Sequence, residues 1–182
     1  MSSEQILPRN LKVLCRIMQA LALFSALALI IYGFLDDGIG QIIDGFWNQM
    51  DSKVRDATVY SGPKQAVVTL IAGLLLYSPL IIFFGIWRVF ARFARGPILS
   101  SESVATVRML GWLIITWAVI TIIAYPAMFF AMTYANPDGM RVLSVALGTV
   151  QLEKILFGAL LVVLGHVLTR GVSVAEENRQ FV

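Results

Sequence analysis

Four long stretches of this 182-residue chain contain no Asp, Glu, Lys or Arg: Ile17–Leu35, Gln65–Trp87, Met109–Pro137 and Ile155–Thr169. A helix needs roughly 20 mainly apolar residues to cross a bilayer core. The first three stretches meet that length outright. The fourth is shorter, but Lys154 and Arg170 at its ends can snorkel toward the headgroups and extend it. Backbone polar groups in hydrocarbon must pair internally, which leaves helices or a closed barrel. Barrel strands would alternate apolar and polar residues, and these runs do not. The expectation is an all-α membrane protein with four transmembrane helices, over about 12–35, 64–95, 101–134 and 149–170. Charge content agrees. Only 14% of residues are charged, against about a quarter in soluble domains, and water could not cover so much apolar surface.

Polar punctuation separates the spans. In "RVFARFARGPILSSESV" (residues 88–104), Arg88, Arg92 and Arg95 fall at i, i+4 and i+7, one face of a helix leaving the membrane. Phe90 and Phe93 share roughly the other face. Gly96 suits a helix C-cap and Pro97 prevents resumption. Ser100 or Ser101 then caps the next helix, with Glu102 favourable in its first turn. Near the end, "VLTRGVSVAEEN" (167–178) repeats the pattern. There Ser173 and Glu176 have capping-box spacing, predicting a short cytoplasmic helix over about 174–181. Aligning Arg95-Gly96 with Arg170-Gly171 also pairs Glu102 with Glu177. Two repeated helical hairpins would explain this; so would chance similarity at two helix ends.

Four crossings put both termini on one side, together with the 88–108 loop. That side carries net charge +5 and the other −2. Lys and Arg near helix ends favour the cytoplasm, so the termini and that loop are expected there. Trp87 and Trp112 bracket the cytoplasmic loop, while Tyr32, Trp47, Tyr60, Tyr125 and Tyr134 fall toward the outer face, as interfacial belts would. Arg9, Lys12 and Arg16 precede the first apolar run, but no small-x-small site follows it, so an uncleaved first helix is expected.

The first outer loop, 36–64, is too long for a bare turn. Ile39, Ile42, Ile43, Phe46, Trp47 and Met50 form one helical face within it, predicting an outer helix over about 38–52. Such a helix lies on the bilayer surface or caps the spanning helices; a ligand lid is the functional alternative. The second outer loop opens with the turn signal "NPDG", 136–139. The following "MRVLSVALGTV" carries a weaker signal for a second surface helix.

Membrane-depth ionisable groups are scarce. His166 lies one turn before Arg170 and reads as an interhelical hydrogen-bonding residue before a proton relay. Cys15 is the lone cysteine, read as a small packing residue. No metal, haem or other cofactor site is expected, nor an enzyme, because no paired carboxylates or Ser/His arrangement occurs. Pro79 and Pro126 should kink their helices. Ala22/Ala26, Ala127/Ala131 and Gly158 permit close helix contact, within one chain or in a homo-oligomer. The candidate docking surface, for membrane lipids or a cytoplasmic partner, comprises Arg88, Arg92, Arg95, Glu102, Arg170, Glu176 and Glu177. Direct nucleic-acid binding is not expected. A sensor or scaffold is the favoured class. The alternative is a small transporter or channel subunit, with Tyr77, Ser78, Thr116, Thr121 and His166 as its polar path.

The segments "FARFARGPILSSESVATVRMLGWLI" and "ILFGALLVVLGHVLTRGVSVAEEN" resemble DUF2975, a family of uncharacterised four-helix bacterial inner-membrane proteins. The resemblance implies an inner-membrane location. It also implies a partner of the small Cro/CI-type helix-turn-helix class, sequestered or released at the membrane. It assigns no catalytic residues.

Overall fold

The computed structural model describes residues 8–59, 62–95, 100–145 and 148–180, with 175–180 as backbone only. Seven helices follow in order among these: α1 (Arg9–Leu35), α2 (Gly38–Asn48), α3 (Ser52–Asp56), α4 (Gly62–Tyr77), α5 (Leu80–Arg95), α6 (Ser101–Thr133) and α7 (Thr149–Gln180). Four segments are long and apolar enough to cross a membrane: α1, Gly62–Arg95 (α4 with α5), α6, and Thr149–Val174 of α7. The protein is therefore an all-α, multi-pass membrane protein with a short helix after its first span.

Three boundaries differ from the sequence reading. At Pro79, which brings no N–H, the chain turns between α4 and α5, and the Ser78 hydroxyl donates to the Leu75 carbonyl (3.1 Å); by contrast α6 continues through Pro126. The outer helix, expected to reach residue 52, ends at Asn48, and Asp51 starts the separate α3 by accepting from the Lys53 N–H (2.9 Å). The expected separate helix over 174–181 is instead the end of α7. The Ser173 hydroxyl donates back to the Arg170 carbonyl (2.9 Å), so it is satisfied inside a helix rather than capping a new one. Residues 141–145 are irregular, not helical. The Gly96–Pro97 stop lies outside the described residues.

The chain forms two compact units. One comprises Leu27–Pro79 and Ala118–Gln151. Its core gathers Phe46 of α2 and Met50 just after that helix, Val68 and Ala72 of α4, and Met128 and Phe129 of α6. The apolar face of α2 packs into this core, so the helix caps spanning segments. The Phe46 ring lies 4.6 Å from that of Tyr125 and 5.1 Å from that of Phe129, and the Tyr125 hydroxyl donates to Gln49 Oε1 (2.5 Å). Asp37 caps α2, in a left-handed conformation with φ of 48°. The NPDG turn closes with the Met140 N–H on the Pro137 carbonyl (3.0 Å), and Gly139 supplies the φ of 86° that few other residues tolerate. Asn136 is 2% exposed and donates to Thr58 Oγ1 (2.8 Å). Nearby, the buried Lys64 donates to the Val59 carbonyl (3.2 Å) and lies 5.7 Å from the Tyr134 ring centre.

The other unit comprises Met1–Ala26, Leu80–Trp117 and Leu152–Val182. Here α6 and α7 meet backbone to backbone at Gly111 and Gly158, and Gly165 faces Arg108. Gly85 of α5 faces Leu110 and Leu113. Ser100 is the residue that caps α6: its Oγ accepts from the Ser103 N–H (3.2 Å). Lys154, read as an interfacial anchor, holds its ammonium 3.7 Å from the Trp117 ring centre, a cation–π contact.

Candidate functional site

The helical register of α5 places Arg88, Arg92 and Arg95 on one face, and the cap at Ser100 sets where Glu102 starts the facing side of α6. These four charged residues line a single cavity of about 620 Å³. Trp87 of α5 and Met109 of α6 supply apolar wall. Arg92 and Glu102 form an ion pair with side chains 41% and 67% exposed. At such exposure the pair adds little stability, about 1 kcal/mol at most; what it contributes is position. Arg92 Nε is buried and lacks a hydrogen-bond acceptor among the described residues. The other ion pair among these residues, Arg141 with Asp138, lies elsewhere. Among the described residues Arg88 and Arg95 thus have no ion-pair partner at the cavity, which suits an anion that accepts several hydrogen bonds at once, such as carboxylate or phosphate.

Residues 45–181, most of the chain, match the family described as protein of unknown function DUF2975. The chain belongs to this family. No curated protein and no solved structure matches it.

Among the remaining candidate residues of this DUF2975 protein, those whose side chains are described do not join the cavity. Arg170 is exposed on α7 and does not line it. The side chains of Glu176 and Glu177 lie outside the described residues. His166 is exposed, and its Nδ1 donates to the Val162 carbonyl one turn earlier (2.8 Å). It is bonded within its own helix rather than to a neighbour. Cys15 is buried, 4% exposed, as a packing residue would be. Among the described residues no three His, Cys, Asp or Glu side chains come together. Residues that the arginine pattern did not reveal are Phe84, Ala91, Ala105 and Thr106, which also line the cavity. Their signal was present: on each helix they continue the i, i+3, i+4 stripe that carries the charges.

Proposed function

We propose that this DUF2975 protein is a non-enzymatic scaffold or sensor of the bacterial inner membrane. Its arginine-lined cavity docks an acidic segment of a cytoplasmic partner, and the family resemblance points to a helix-turn-helix regulator as that partner. The observation that carries the reading is the convergence of Arg88, Arg92 and Arg95 on one cavity, opposed by the single carboxylate of Glu102. The excess of Lys and Arg on that side of the chain supports a cytoplasmic placement with both termini inside. Docking there is an electrostatic recognition, so it weakens with salt.

The test is capture of the regulator by the full-length protein in mild detergent, wild type against the triple variant Arg88→Ala, Arg92→Ala, Arg95→Ala. Loss of capture in the variant, with wild-type capture falling as salt rises, is the expected result. Equal recovery on both proteins would remove the docking surface from consideration.

A further inference from the structure

The arginine cavity does not end at its charges. Phe84 and Trp87 line it, and the same two residues line a second, almost wholly apolar groove of about 300 Å³. That groove is completed by Ala22, Leu23 and Ala26 of α1 and by Leu80 of α5. All these residues belong to one compact unit. Along α5, Leu80, Phe84, Trp87, Arg88, Ala91 and Arg95 fall on one continuous helical stripe. The stripe is apolar toward the middle of the span and cationic at its end. Both volumes are of the size that holds small molecules, roughly 300–1,000 Å³.

We propose that these two cavities together form a binding site for an anionic phospholipid. The phosphate lies among Arg88, Arg92 and Arg95, and one acyl chain passes Phe84 and Trp87 into the groove against α1. Charge complementarity selects the headgroup: among the residues that line the cavity, three guanidinium groups face one carboxylate. The groove selects an amphiphile over a free anion, because its lining offers a water-soluble phosphate nothing. Position selects a lipid over a soluble ligand, since the groove lies within segments that cross the bilayer. The site goes beyond partner docking and stands without it. Where both hold, lipid and partner compete for the same arginines, and the content of anionic lipid sets how much partner is bound.

The experiment is native mass spectrometry of the purified full-length protein, with no partner present, against a mixture of dioleoyl phosphatidylglycerol and phosphatidylcholine. Wild type retains phosphatidylglycerol about tenfold or more over phosphatidylcholine, and Arg88→Gln/Arg95→Gln abolishes that preference. Dihexanoyl phosphatidylglycerol binds wild type much more weakly than the dioleoyl lipid, a comparison that needs no groove variant to fold. Equal retention of the two lipids, or an unchanged preference in the double variant, overturns the site. Displacement of the lipid by millimolar inorganic phosphate, or chain-length independence, reduces it to an anion site and overturns the lipid assignment. Failure to capture a regulator, by contrast, leaves these lipid results untouched.

Discussion

The Gly111–Gly158 contact makes a prediction in which two effects of known sign compete. In a helix interior Gly costs roughly 0.5–1 kcal/mol relative to Ala, so Gly→Ala stabilises where space allows. At Gly171 of α7 nothing among the described residues lies within 4 Å of an added Cβ, and Gly171→Ala should gain about that amount. At Gly158 the same atom would lie 2.7 Å from Ile115 Cγ1, 2.8 Å from the Gly111 carbonyl oxygen and 3.2 Å from the Ile115 nitrogen. Two of those three atoms are backbone, which cannot rotate aside. Overpacking of this kind costs about 1–3 kcal/mol. The net for Gly158→Ala is a loss of about 1 kcal/mol, so two chemically identical substitutions on one helix differ by about 2 kcal/mol with opposite signs. Gly111→Ala meets the Gly158 carbonyl at 2.6 Å and the Val162 nitrogen at 2.9 Å. The double variant Gly111→Ala/Gly158→Ala should therefore be non-additive, both changes prising apart one contact. Unfolding by sodium dodecyl sulfate in mixed micelles, followed by far-UV circular dichroism, reads all four proteins. If Gly158→Ala proves as stable as Gly171→Ala, the backbone approach of α6 to α7 is wrong.

Other substitutions test the remaining structure by the same unfolding assay. Ser100→Ala removes the α6 cap and should cost about 1 kcal/mol, while Ser101→Ala should be nearly neutral. Phe46→Ala empties a 6%-exposed position between two aromatic rings and should cost about 3–5 kcal/mol, whereas Tyr125→Phe, which keeps the ring and loses only the hydrogen bond to Gln49, should cost about 1 kcal/mol. Asn136→Leu strands the partners of a buried amide and should cost about 1–3 kcal/mol. For topology, in a Cys15→Ser background, cysteines placed at Arg95 and Ser173 should both react with a membrane-impermeant maleimide only after the cells are opened. Labelling of either on intact cells refutes the cytoplasmic placement.

Much of the fold was legible because lipid imposes a length and a composition on whatever crosses it. Three of the four uncharged stretches fall inside an apolar span and the other, Met109–Pro137, overruns the end of its span at Thr133 by four residues, and the Ile39–Met50 stripe marked a helix whose apolar side is indeed packed. What failed were boundaries that depend on packing. Ser173 and Glu176 have the spacing of a helix start, yet Val172 is 7% exposed, and burying it holds the last turns of α7 in register with those before. Gly171 had no proline behind it to force a stop, unlike Gly96. Local cap chemistry lost to a buried side chain, as propensity commonly does against tertiary contact. The proposed alignment of two "RG" exits weakens for the same reason, since Gly171 continues a helix.

The site divides along the same line. Spacing alone put Arg88, Arg92 and Arg95 on one face, because helical register follows from sequence once the helix is certain. Spacing could not show that α6 brings Glu102 to Arg92, that Arg170 stays apart, or that Phe84 and Trp87 belong to two cavities at once. Trp87 in particular reads in the sequence as a membrane-interface aromatic, and that reading is compatible with what it lines. An indole at headgroup depth suits the junction between a charged cavity and an oily one, since it presents an apolar body beside a polar edge. Its placement couples the two halves: any ligand that reaches from the arginines into the groove must pass Trp87, so occupancy of the apolar part should alter that indole's fluorescence, whereas an anion held only by the arginines should not.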